Sequence, residues 1–78
     1  FQGIQLQAEK NIELYAPMAG KTTVTDQSIV IQFNNRQLVL KNVSPLVNHD
    51  QEVVSGELIG TVAKENEVTI EYYKNGQS

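Results

Sequence analysis

Few side chains in this chain could do chemistry. Its one histidine, His49, stands in Val47-Asn48-His49-Asp50-Gln51. A catalytic zinc needs about three His, Asp or Glu side chains converging on one point, with a coordination position left open. His49 beside Asp50 does not supply that set, and the plain reading is a loop histidine at a turn. Ser28, Ser44, Ser55 and Ser78 have only His49 to share as a base, and none lies in a nucleophile-elbow motif, so acyl-enzyme chemistry has no footing. The chain has no cysteine, which removes disulfides, thiolate metal sites and thiol nucleophiles together. Gly56 and Gly60 make no phosphate cradle, since no helix follows to present free amides. Glu67 and Glu71 share one face of the last apolar run at period-two spacing, where a carboxylate pair could act. A solvated edge is the ordinary alternative for such glutamates. Asn42-Val43-Ser44 matches a glycosylation sequon, but Pro45 follows it and the match carries no weight.

The elements that must position these residues belong to a single small domain. With 78 residues and 40% hydrophobic content the chain can bury one modest core. Six bases against nine acids give a net charge of -3, and Lys10, Lys21, Arg36, Lys41, Lys64 and Lys74 are scattered rather than striped. Nucleic acid is therefore not an expected partner. No apolar run approaches the ~20 residues that span a bilayer, so the chain is expected not to insert in a membrane. Phe1-Gln2-Gly3 matches the end of a protease-cleavable purification tag, which sets residues 1–3 aside as a tag remnant. Residues 4–11 read as a linker or edge segment and 12–78 as the domain, expected to be a piece of a longer protein.

Apolar residues recur with period two and no helical stripe is sustained, which predicts an all-β chain with little or no helix. The clearest unit is Ile29-Val30-Ile31-Gln32-Phe33, then Asn34-Asn35, then Arg36-Gln37-Leu38-Val39-Leu40. A two-residue loop there predicts a hairpin pairing Phe33 with Arg36, Ile31 with Leu38 and Ile29 with Leu40, with Val30 and Val39 on the other face. Both faces are apolar and both are expected to be covered. Ile12-Glu13-Leu14-Tyr15 reads as a strand, Pro17 ends its pairing and Gly20 permits a turn. Strand resumes over 21–25. Ser44-Pro45 breaks the second hairpin strand, 46–55 is loop with short extended pieces, 58–63 is a strand interrupted by Gly60, 64–66 turns, and 68–73 is the final strand. The count is six or seven short strands. Leu14, Val24, Ile29, Ile31, Leu38, Leu40, Val53, Ile59, Val62, Val68 and Ile70 are the predicted core.

Three segments stand in a fixed order, Tyr15-Ala16-Pro17-Met18-Ala19-Gly20, then residues 50–60, then residues 68–76, and as an ordered set they resemble the lysostaphin-type (LytM-like) metallopeptidase family. Tyr15-Ala16-Pro17-Met18-Ala19-Gly20 is similar to the family's opening "Ala-Pro, two residues, Gly". Residues 50–60, reading Asp-Gln-Glu-Val-Val-Ser-Gly-Glu-Leu-Ile-Gly, are similar to its "Gly-Asp, x, Val" turn and the strand after it. Residues 68–76, reading Val-Thr-Ile-Glu-Tyr-Tyr-Lys-Asn-Gly, are similar to its closing strand. The resemblance covers about residues 12 to 77 and implies a small antiparallel barrel-sandwich. It also implies what is missing: the family's histidines fall at Glu67, Thr69 and, within a residue or so, Asn42, and its upstream ligand pair has no counterpart. Lipoyl carriers share similar turns, with Lys64 at the place of a modified lysine, but too little chain follows it. Phosphotransfer domains of the glucose-permease type resemble the stretch from Ala16 to Leu40, with their histidine falling near Lys41.

The resemblance therefore implies a degenerate member of the family with no catalytic residues, no metal ligands and no cofactor. It would act extracytoplasmically, in the bacterial cell envelope. Two roles stay open: an adaptor holding another envelope protein, which is favoured, or a peptidoglycan-binding module. An endopeptidase completed by further segments is the remaining alternative. The binding face would be the former groove, made of Asn42, Glu67, Thr69, Glu71 and Tyr73, with Tyr73 as anchor. A merely solvated edge is the competing reading of the same residues.

Overall fold

The computed structural model describes residues 2–6, 11–63 and 68–74. Among these the protein is all-β and every strand pairing is antiparallel. The strands are β1 (Gln2–Leu6), β2 (Glu13–Tyr15), β3 (Gly20–Val24), β4 (Ser28–Phe33), β5 (Arg36–Lys41), β6 (Val43–Pro45), β7 (Glu52–Val53), β8 (Leu58–Val62) and β9 (Val68–Lys74). They form a six-stranded sheet in the order β1-β9-β5-β4-β3-β7 and a three-stranded sheet in the order β2-β8-β6. Among the described residues there are nine strands rather than six or seven, because three of the pieces are very short or lie outside the segments read as strands. β6 and β7 span three and two residues, and β1, at the edge of the large sheet, takes in Gln2 and Gly3 as well as residues of the expected edge segment.

The β4–β5 hairpin forms in the expected register, with Phe33 opposite Arg36, Ile31 opposite Leu38 and Ile29 opposite Leu40. Asn34 takes a positive φ of 54°, in the left-handed region that asparagine tolerates best among residues with a side chain. The break after β5 falls at Asn42 rather than at Ser44-Pro45. Asn42 has φ 65°, and there the chain leaves the large sheet and enters the small one as β6. The bend also shifts the in-out alternation by one residue. Leu40 points inward, and so does Val43, three positions on and fully buried.

Ile29, Ile31, Leu38 and Leu40 of the hairpin pack with Ala16, Val43, Val53, Ile59, Val62 and Val68 as the buried core, with Leu14 and Ile70 packed partly against it. Ala16 and Val43 were not in the predicted core. Val24, which was, is only half-buried, at the end of β3 where His49 Nδ1 accepts its backbone N–H at 3.3 Å. The outer hairpin face is not fully covered either: Val30 and Val39 are half-buried. Turn predictions over 64–66 lie outside the described residues.

Two glycines are set by space rather than by turning. Gly20 lies inside β3, where a Cβ would stand 2.6 Å from the Gln32 carbonyl oxygen. β8 continues through Gly60, but its ladder with β2 shifts register there, Leu14 standing opposite Gly60 and Tyr15 opposite Leu58. A Cβ on Gly60 would meet the Ser44 carbonyl oxygen at 2.7 Å, so glycine lets the backbones approach.

Thr22 is the buried polar hub that fixes the edge of the large sheet. Its hydroxyl donates to the Asn48 carbonyl at 2.6 Å and accepts the Gln51 N–H at 3.1 Å. Its backbone N–H donates to the Gln51 carbonyl at 2.9 Å, and its carbonyl accepts the Asp50 N–H at 2.7 Å. The 48–51 segment is thereby strapped across β3, and Asp50, at φ 62°, makes the turn.

Candidate functional site

Alternation along β9 sends Val68, Ile70 and Tyr72 toward the core and Thr69, Glu71 and Tyr73 to the outer face of the six-stranded sheet. Cross-strand pairing with β5 fixes their neighbours: Thr69 stands opposite Lys41, Glu71 opposite Val39 and Tyr73 opposite Gln37. Three side chains there are linked. The Tyr73 hydroxyl donates to Glu71 Oε1 at 2.9 Å, and the Lys41 ammonium donates to Glu71 Oε2 at 3.2 Å. The Glu71 side chain is only 14% exposed while that of Lys41 is 51% exposed, so the carboxylate is held under its partners.

The electrostatics follow from these contacts. The Tyr73 hydroxyl, and then the Lys41 ammonium, hold the Glu71 carboxyl below its ordinary value, against the opposing pull of partial desolvation. The Tyr73 phenol is pushed up, first by its hydrogen bond to the Glu71 carboxylate, then by desolvation and by the charge beside it. The pair is thus tuned to stay as phenol and carboxylate. Tyr15 and Glu13 repeat the motif two residues apart on β2, with the phenol donating at 2.8 Å and raised by the same cause.

Of the five residues expected to line a former groove, Thr69, Glu71 and Tyr73 share this face. Glu67 lies outside the described residues. Asn42 sits at the corner between the two sheets, where its backbone carbonyl accepts the Ala63 N–H at 3.0 Å. Its left-handed backbone gives it a structural task that the sequence did not advertise. Sequence reasoning missed Lys41. The signal for it lay in pairing, since the β5–β9 register puts Lys41 beside Thr69 and one step from Glu71.

His49 is exposed in the strapped loop, with Nε2 3.8 Å from the Asp50 carboxylate. Among the described residues no three His, Cys, Asp or Glu side chains gather closely enough to hold a metal ion. No described helix is long and apolar enough to cross a membrane. No family model and no curated protein matches the chain.

Proposed function

We propose that the domain is a non-catalytic, LytM-like interaction module of a bacterial cell-envelope protein, and that it holds a protein partner against the outer face of its six-stranded sheet around Tyr73. The observation carrying this reading is the Lys41–Glu71–Tyr73 network. A hydrolytic metal needs carboxylate or imidazole lone pairs aimed at one open point. Here one Glu71 oxygen is taken by a phenol and the other by an ammonium. A fixed positive charge beside Thr69 and Glu71 opposes a divalent cation at that place and suits hydrogen bonding to a polar chain instead. Tyr73, half-buried and joined to Glu71 through its hydroxyl, is of the residue type that dominates binding hot spots.

The test is a photo-activated crosslinker placed at Thr69 in the protein within its own envelope. The reading expects one discrete protein adduct, lost when the crosslinker is moved to Asp26. Adducts to glycan strands would replace it with wall binding. Stoichiometric zinc binding accompanied by muropeptide cleavage would overturn it. Against an identified partner, Tyr73→Ala should weaken binding roughly tenfold or more with little change in melting temperature.

A further inference from the structure

The small sheet does not cover the whole inner face of the large one. At the hairpin tip Phe33 is 54% exposed, although it points the same way as the fully buried Ile29 and Ile31. Phe33, Leu38 and Tyr72 from the sheet and Pro17 and Met18 from the β2–β3 connection wall a cleft of 430 Å3, with Arg36 on its side. Leu38 is 7% exposed, and Met18 and Tyr72 pack against the core, so the apolar walls are held by the fold itself. The volume lies in the range of pockets that take a ligand or a large side chain.

Charge gives the cleft its selectivity. Arg36 stands directly opposite Lys74 in the β5–β9 ladder. Like charges in that relation destabilise an antiparallel pair. The ion pairs among the described residues are Lys41 with Glu71 and His49 with Asp50, so neither cation of the tip is neutralised by a described carboxylate. In a chain of net charge -3, two cations beside an aromatic cleft are complementary to an anion.

We infer that this open end is a docking groove for a partner segment carrying a large apolar side chain next to a carboxylate. The apolar side chain enters between Phe33, Met18 and Tyr72. The carboxylate takes the planar fork of Arg36, whose two N–H groups match its two oxygens, while Lys74 adds to the field. This site is on the opposite face from Tyr73 and stands independently of the LytM-like reading.

The test is an amide chemical-shift titration of the isotope-labelled chain with acetyl-Glu-Phe-Leu-Glu-amide, run beside acetyl-Gln-Phe-Leu-Gln-amide and acetyl-Glu-Ser-Ser-Glu-amide. Saturable shifts at Met18, Phe33, Arg36, Leu38 and Tyr72 are expected with the first peptide, and affinity about tenfold or more lower with each of the others. Arg36→Gln, at an exposed position, should keep the spectrum of the fold and lose the preference for Glu over Gln. Equal binding of the uncharged peptide would reduce the groove to an unselective apolar patch. Equal binding of the serine peptide would reduce it to a bare anion site. Absence of shifts at the cleft at ~5 mM peptide would remove it altogether.

Discussion

The two ends of the β4–β5 hairpin carry the same pattern and meet opposite fates. At the base, Ile29 and Leu40 face each other across the ladder and are 0% and 3% exposed. At the tip, Phe33 and Arg36 face each other on the same side of the same sheet and lie open. Local propensity cannot distinguish them, because strand, face and register are shared. What differs is the cover. At the base the chain turns at Asn42 into β6 and folds back, Val43 donates its N–H to the Gln27 carbonyl at 3.1 Å, and Ile59 and Val62 close over the sheet. At the tip, among the described residues, only the 16–19 connection reaches across. Burial is thus decided by what the opposite layer reaches, and the part it leaves uncovered is where a ligand can be held.

The hardest blow to this contrast falls at the base. Leu40→Asp places an unpaired carboxylate in the core and should cost roughly 5 kcal/mol or more, comparable to the whole stability of a small domain. Circular dichroism should show no folded baseline at room temperature. Ile29→Ala should cost about 2–5 kcal/mol in urea unfolding, because the emptied space under Gly60 is walled by backbone that cannot collapse into it.

At the sheet edge, Thr22→Val keeps the shape but strands the Asn48 carbonyl and the Gln51 N–H. About 1–3 kcal/mol should be lost. Hydrogen exchange at the Gln51 amide should accelerate more than at Ile31, showing that the strap has loosened before the core.

On the outer face the effect is smaller and depends on pH. The folded Glu71 is depressed below its ordinary value, so its contribution is present above the unfolded carboxyl value and is lost as pH falls through the folded one. The folded Tyr73 is raised, so its contribution is present below the unfolded phenol value and is lost as pH rises through the folded one. The contact is at full strength between the two. Urea midpoints of the parent and Glu71→Gln should differ at about pH 7 and converge toward about pH 3. A gap of constant size over that range would show that the network is not linked to folding.

Sequence disclosed the local half of this architecture. The two-residue Asn34-Asn35 loop fixes one register, and period two then assigns every hairpin side chain to a face. It was silent where a decision depended on distant chain. The Lys41 to Glu71 contact joins β5 to β9 across 30 positions, and no local pattern announces that pairing. Lys41-Asn42-Val43 carries no breaker stronger than asparagine, whereas Pro45 two residues on does, and so the corner was placed late. In sequence Gly20 reads as a turn residue and Gly60 as an interruption of its strand, because space is visible only once a neighbouring backbone stands against them. Glu71 and Tyr73 were legible as one face from alternation alone. The open cleft had one signal, an arginine at an inward-facing position opposite Phe33.

A single variant separates the tip of the hairpin from its base. Phe33→Ala removes a large apolar side chain from the same sheet face as Ile29, and unfolding in urea should show a loss of less than ~1 kcal/mol, since that ring is already half in water. Affinity of the same protein for acetyl-Glu-Phe-Leu-Glu-amide should fall about tenfold or more. A loss of stability as large as that of Ile29→Ala, with binding unchanged, would show that the hairpin tip is core after all and that the open end holds no partner.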